Sequence, residues 1–368
     1  MGADGSRLSR RDNTPPADRV MAEAAGPITV RTLTSGDEAR WDSFVEATPS
    51  GTFFHLSGWK RAIEKAFKHR TYYLMAERDQ TVTGVLPLTL VKTRLFGASL
   101  ISNAFCVQGG PIASDAASLR ALEEAALRLM EELHVPVLEF RAWAEGRSDW
   151  LSRDDLYASF RKPIDPSIDQ NLKAIPRKQR AMIRKGQQNG LRSQLDDDVE
   201  RLYRLYGESV RNLGTPVFPK KYFELLRAVF PERSDIVTIT SDGTAVASVL
   251  NFYFREEVLP YYGGGTADAR RLAANDFMYW EVMRRACERG FRLFDFGRSK
   301  RGTGAFDFKC YWGFEPAPLV YQFRLAHGRK IPDLNPLNPK FRMFVKLWKR
   351  LPLSVAARLG PPIVRGLG

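Results

Sequence analysis

The segment from Gly304 to Glu315, GAFDFKCYWGFE, sets one lysine among aromatic side chains. Its period-two alternation predicts a strand with Phe306, Phe308, Cys310, Trp312 and Phe314 on a wholly apolar face. Asp307, Lys309 and Tyr311 fall on the opposite face. An ammonium held between a carboxylate and a phenol could serve acyl transfer, which passes through a tetrahedral oxyanion that a fixed cation stabilises. The plainer alternative is a lysine on a solvated strand face, paired with Asp307. Cys310 lies on the apolar face with no His and carboxylate pair near it in sequence, so it reads as a small hydrophobe and not a nucleophile.

A second cluster of charge runs from Arg177 to Arg192. Pro176 suits the start of a helix and Gly190 its stop. Between them, Arg180 and Arg184 are four residues apart and share a face that could clamp a diphosphate with bidentate contacts. A solvated basic face accounts for either residue equally well. Asp295-Phe296-Gly297-Arg298 ends a predicted strand, where sites on mixed sheets gather, which puts Arg298 at a cleft. Asp295 itself reads more simply as a buried structural carboxylate. His55, His69, His134 and His327 show no metal spacing with Cys or acids, so no metal site is expected.

These residues need a scaffold, and 368 residues are more than one core usually organises, so two domains are expected. No apolar run approaches the roughly 20 residues that span a bilayer. The polar start, up to Gly26, lacks a hydrophobic signal core and reads as a disordered leader of a cytoplasmic protein. Three scattered cysteines fit a reducing compartment. The net charge of +14 points to a polyanionic partner: RNA, a nucleotide-linked substrate or an anionic membrane surface.

An internal repeat divides the chain. Ala126 to Trp143 reads as a helix feeding a strand, and Val282 to Ser299 reads likewise, with Gly290 as helix C-cap. At an offset of 156, Arg128 falls on Arg284, Glu132 on Glu288, Glu139 on Asp295 and Phe140 on Phe296. Upstream, the turns beginning at Asp79 and at Asp242 each join two strand patterns as a hairpin. The fold class is therefore α/β with mixed α+β sheets, built as a tandem duplication. The expected domains are residues 27–165 and 166–328, joined near Asp165-Pro166, with a tail at 329–368.

Four motifs follow in order: Phe53 to Lys60, with Ser57 and Trp59; the basic stretch Arg180 to Gly190; Tyr261-Tyr262-Gly263-Gly264-Gly265-Thr266; and Phe308-Lys309 before Trp312-Gly313-Phe314. Together with the order of elements, they resemble the FemAB-type aminoacyltransferases. Those are tandem GNAT acyltransferase-like proteins that pass amino acids from aminoacyl-tRNA to peptidoglycan precursors. The chain looks most similar to the subgroup associated with PEP-CTERM and exopolysaccharide systems. The resemblance implies that Lys309, after Phe308, acts at the aminoacyl ester. It further implies that Arg180 or Arg184, and Lys60 of the first domain, hold phosphates of a nucleotide-linked acceptor. Tyr262 and Arg298 would line one cleft. The family's seryl-synthetase-like coiled-coil arm has no counterpart here.

No cofactor is expected. Acetyl-CoA-dependent members of this fold use [Gln/Arg]-x-x-Gly-x-[Gly/Ala] at a helix start, so that backbone amides approach the pyrophosphate. The matching place reads Arg270-Arg271-Leu272-Ala273-Ala274-Asn275, without glycine, and no such loop precedes the helix expected at 118–133. This leans towards aminoacyl-tRNA or a similar ester as donor and a nucleotide- or lipid-linked envelope precursor as acceptor. The alternatives are an acyl-CoA-dependent N-acyltransferase and a non-catalytic double module that binds RNA or another anionic polymer. In the tail, Phe341, Phe344, Val345 and Trp348 share a helical face among basic residues. Such a helix suits either peripheral contact with the inner face of a membrane or docking onto domain one.

Overall fold

The computed structural model describes residues 26–93, 97–142, 149–329, 331 and 339–367. The leader expected before Gly26, and much of the stretch joining the tail to the body, lie outside these residues. The first half contains β1 (Thr29–Thr32), α1 (Glu38–Ala47), α2 (Gly58–Phe67), β2 (Arg70–Arg78), β3 (Thr81–Thr93), β4 (Gly97–Ser102), β5 (Ile112–Ala113), α3 (Ala116–Glu132), β6 (Val137–Ala142) and β7 (Leu151–Arg153). There follow β8 (Tyr157–Pro163), α4 (Ile168–Ala174), α5 (Arg177–Gln188), β9 (Arg192–Asp196), α6 (Glu200–Leu213), α7 (Lys220–Val229), β10 (Ser234–Ser241), β11 (Thr244–Phe254) and β12 (Glu257–Gly265). The remainder is α8 (Ala274–Glu288), β13 (Leu293–Lys300), α9 (Gly304–Tyr311), β14 (Pro316–Pro318), β15 (Val320–Leu325), α10 (Pro339–Trp348) and α11 (Leu353–Val364).

Two separate mixed sheets result. One runs β1-β2-β3-β4-β6-β15-β7, with β5 also on β3; the other runs β14-β8-β13-β12-β11-β10-β9. The repeat is visible in both. The β2–β3 turn at Asp79-Gln80 has φ of 48° and 62°, and the β10–β11 turn at Asp242-Gly243 has 49° and 78°. Two consecutive positive φ angles are the type I′ geometry whose twist matches an antiparallel hairpin. Each half then adds a strand, a helix and a parallel strand: β4–α3–β6 and β12–α8–β13.

The strands near the expected join cross over. β8, before Asp165, pairs with β13 in the second sheet, while β15, near the end of the expected second domain, pairs with β6 and β7 in the first. Alternating side chains report that a strand is half-buried but not which sheet receives it, so this exchange has no sequence signal. The halves are also fused by packing. Phe53 of the first stacks on Phe252 of the second at 4.5 Å and meets Phe230 at 4.7 Å, and Trp59 lies 5.8 Å from Phe230.

One predicted element changes type. Residues 304–311 form the helix α9, not a strand. A period-two array contains i, i+4 pairs, here Phe306 with Cys310 and Phe308 with Trp312, so both periods fit the same apolar positions. The ends decide. The Thr303 hydroxyl accepts from the Phe306 amide as an N-cap, and Gly313 at φ 78° stops the turn. Trp312 and Phe314 are buried, Cys310 is half-buried and Tyr311 is exposed.

The tail packs chiefly on α6 and the turn after it. The Trp348 indole donates to Thr215 O (3.2 Å), and Val345 presses on Gly214. A Cβ at Gly360 would come within 2.8 Å of the Val217 amide nitrogen, so only glycine permits this approach of α11. Near its end the tail also touches the first half, where the His69 Nε2 meets Arg365 O at 2.8 Å. The docking partner expected for the tail is thus corrected: it is mainly α6 of the second half. The Phe341 side chain falls outside the described residues.

Candidate functional site

The parallel strands β12 and β13 are paired at Glu257–Leu293 and Val258–Phe294; among the described residues no pairing joins Tyr261–Gly265 to Phe296–Lys300. Irregularities on both sides accompany this parting. The β11 register shifts between Leu250 and Asn251, and the β13–β8 register shifts between Asp295 and Arg298, where Gly297 takes φ 70°. A bulge turns backbone groups out of a ladder. Two carbonyls at this bulge receive Lys309.

Lys309 Nζ donates to Gly297 O and Arg298 O, each at 3.1 Å. The rings of Phe160 and Phe296 lie 5.3 and 5.5 Å from it. Burial among these groups lowers its pKa to about 7; buried Asp295 nearby opposes the shift and Arg298 adds to it. Two of the three ammonium hydrogens are engaged, which leaves one for a bound group. Asp295 accepts from the Gly297 amide (2.7 Å) and faces Arg161, while its own burial raises its pKa. This carboxylate supports the bulge, in keeping with its expected structural role. Phe308 is half-buried and packs among Phe296, Tyr279 and Trp312 at 5.8–6.1 Å, fixing α9 on the sheet.

Arg298 extends into the seam between the sheets. Its guanidinium lies 4.5 Å from the Tyr157 ring and donates to the Tyr321 hydroxyl, which in turn donates to Val107 O (3.1 Å). Tyr262 is buried elsewhere, among Tyr206, Phe218 and Phe223, with its hydroxyl 3.1 Å from that of Tyr222. The shared cleft expected for Tyr262 and Arg298 is not formed. Tyr261 is the β12 tyrosine that feels the Arg298 charge.

The phosphate candidates are dispersed. On α5, Arg184 is exposed and Arg180 half-buried, with the Arg180 Nε enclosed and unpaired by a hydrogen bond. This helix borders α9, since Lys178 lies 5.8 Å from the Tyr311 ring and Pro176 packs beside Gly313. Lys60 is on α2, packed on α7, and is paired with Glu64 at 2.7 Å. It is therefore not part of the group around Lys309. Among the described residues no cluster of His, Cys, Asp or Glu could hold a metal.

At the start of α8, Ala273 is buried and left-handed at φ 60°. A glycine, as in the acetyl-CoA pattern that this stretch lacks, would take this conformation at no cost. Asn189, at the end of α5, donates to Leu272 O (3.1 Å) and braces the loop.

Several seam residues, Arg141, Arg161, Arg255 and Glu257 among them, had no role assigned from the sequence. A cavity of about 330 Å³ between the sheets is lined by Thr52, His55, Arg141, Arg161, Arg255 and Glu257, among others. His55 is held neutral by burial, its pKa lowered to about 4, and its Nε2 lies 2.9 Å from Gly110 O. Arg141 and Arg298 approach the Tyr321 ring at 5.6 and 5.9 Å. The repeat held a signal for this pair. After Phe140 and Phe296 the second copy has the bulge residue Gly297, so Arg141 corresponds to Arg298.

Residues 177–310 match the family described as "Acetyltransferase (GNAT) domain". Among solved structures, FemX is similar over 80% of this chain and 96% of its own, with TM-score 0.62 and 16% identity. A tandem GNAT protein from the clavulanic acid biosynthesis pathway covers 83% of this chain and 100% of its own, at TM-score 0.52 and 12% identity. The C-terminal domain of a putative lysylphosphatidylglycerol synthetase from Agrobacterium fabrum covers 79% and 92%, at TM-score 0.53 and 12% identity. A search of curated proteins finds no match. The second half thus carries a GNAT acyltransferase domain, and the whole has the fold of the tandem GNAT structures.

Proposed function

We propose that this protein transfers an acyl group, with aminoacyl-tRNA or a similar activated ester as donor, to an amine of a nucleotide- or lipid-linked envelope or exopolysaccharide precursor. The observation that carries the reading is Lys309, seated on the bulge carbonyls where β12 and β13 part, with one hydrogen uncommitted. The acceptor amine attacks the ester carbonyl, and the resulting oxyanion takes that hydrogen as a charge-assisted bond. A pKa near 7 lets the same group pass a proton to the departing ester oxygen when the tetrahedral intermediate collapses, and the proton lost by the attacking amine restores the ammonium. No covalent enzyme intermediate is needed, because holding both substrates supplies much of the barrier reduction. The aminoacyl donor rests on the resemblance to FemAB-type enzymes and the likeness of fold to FemX.

A second reading has its own support. Ala273 is left-handed at the place where the acetyl-CoA sequence pattern has its glycine, and this favours acyl-CoA as the alternative donor. Supplying the protein with an envelope extract and either radiolabelled charged tRNA or labelled acyl-CoA separates the two. Label transferred from tRNA alone supports the first donor, and label from CoA alone replaces it with the second. No transfer from either contradicts the proposal.

A further inference from the structure

Large apolar side chains left in water are concentrated in one part of this molecule. Nine such residues are exposed among the described ones, and five of them are Met343, Phe344, Leu347, Val355 and Leu359 of α10 and α11. A sixth, Leu213, adjoins Gly214, on which α10 packs. Met343 and Leu347 are 73% and 60% exposed and one turn apart, so they form a stripe opposite the buried Trp348 that anchors the helix. Val355 and Leu359 form a second stripe at the same spacing, on the side of α11 away from buried Ala356 and Gly360.

The charge around these stripes has one sign. From Leu334 to the end there is no Asp or Glu, while Lys340, Arg342, Lys346, Lys349, Arg350, Arg358 and Arg365 are cationic. Lys346, Lys349, Arg350 and Arg358 are exposed beside the apolar residues. A second copy of the chain would oppose cation to cation across such a contact. RNA would match the charge but leave Met343, Leu347, Val355 and Leu359 without a use, because aliphatic side chains gain little from a phosphate backbone. An anionic lipid surface satisfies both, with the aliphatic residues among acyl chains and the cations at the headgroups.

We infer that α10 and α11 form a peripheral docking surface for an anionic phospholipid membrane, independent of the reaction at Lys309. The test is cosedimentation of the full chain with vesicles of phosphatidylcholine alone or equimolar phosphatidylcholine and phosphatidylglycerol. Wild type is compared with Met343→Glu/Leu347→Glu and with Lys346→Glu/Arg350→Glu. These positions are exposed, and thermal melting verifies that the variants are folded. The expected result is binding to the mixed vesicles only, reduced about tenfold or more by either pair of substitutions. Recovery in the supernatant with both vesicles overturns the inference. So does undiminished binding by the Met343→Glu/Leu347→Glu variant, which would mark the attraction as charge alone. Retention of a model RNA duplex in place of vesicles, lost with Lys346→Glu/Arg350→Glu, would assign the surface to nucleic acid.

Discussion

Each half of the molecule contains a pair of parallel strands that separate after two paired positions, and among the described residues the two partings are completed differently. In the first half, β4 and β6 are paired at Leu100–Leu138 and Ile101–Glu139. The 103–110 segment then bonds to the strand ends, beside the cavity that His55 and Arg141 line. Gly109 and Gly110 amides donate to Arg141 O at 2.9 and 2.6 Å, the Arg141 guanidinium returns to Cys106 O (2.8 Å), and Asn103 reaches Phe54 O. In the second half, the equivalent carbonyls of Gly297 and Arg298 are met by a side chain with hydrogen-bonding capacity to spare. The first parting is bridged by hydrogen bonds of the 103–110 segment, and the second by Lys309. In the proposed reaction, the second parting is where a substrate meets backbone groups and an ammonium together.

The comparison is most sharply broken at Lys309. Lys309→Ala should lower transfer by about 10²–10³-fold, the usual cost of losing an oxyanion donor, with little change in apparent KM. An equal loss from disturbing the first half would dissolve the distinction. There Gly109→Ala should act on stability instead. Its φ is 149° and a Cβ would meet that of Asn103 at 2.7 Å, so we expect a loss of about 2–3 kcal/mol by denaturant titration. Activity per folded molecule should be retained.

Tyr321→Phe tests the seam linking the halves. Removing the hydroxyl leaves Val107 O and the Arg298 guanidinium without it, and about 1–2 kcal/mol of stability should be lost. The smallest effect concerns the pKa of Lys309. Its folded value of about 7 lies below the ordinary 10.5, so between these values the unfolded chain holds a proton that the folded chain has released. Raising pH through that window therefore stabilises the wild type, and below about 7 the penalty is fully present. Lys309→Met should raise thermal stability near pH 7 by about 1 kcal/mol after its hydrogen bonds are lost, and the advantage should vanish by pH 10.

Much of this architecture was legible in the sequence for physical reasons that can be named. The hairpin turns carried residues tolerant of left-handed backbone, Asp79 and Asp242-Gly243, and Gly290 marked the end of α8, so the repeat could be aligned. The exchange of β8 and β15 was not legible, because pairing partners leave no trace in a single strand's pattern. Lys309 could be singled out, but its setting could not. The array of aromatics from 306 to 314 serves a helix and a strand alike, and the cap at Thr303 settled the matter. Tyr262 packs with Tyr206, Phe223 and Tyr222, and the β11–β12 register shift beside it left no sequence signal. Lys60 found Glu64 on its own helix.

The central claim, that the parting of β12 and β13 performs acyl transfer through Lys309, is tested most directly by single-turnover transfer from labelled aminoacyl-tRNA to an envelope extract. Wild type and Lys309→Ala would be compared after their melting curves have shown both to be folded. Label in the acceptor with wild type, and a loss of about 10²-fold or more with the variant, is the predicted result. Equal transfer by both proteins would contradict it.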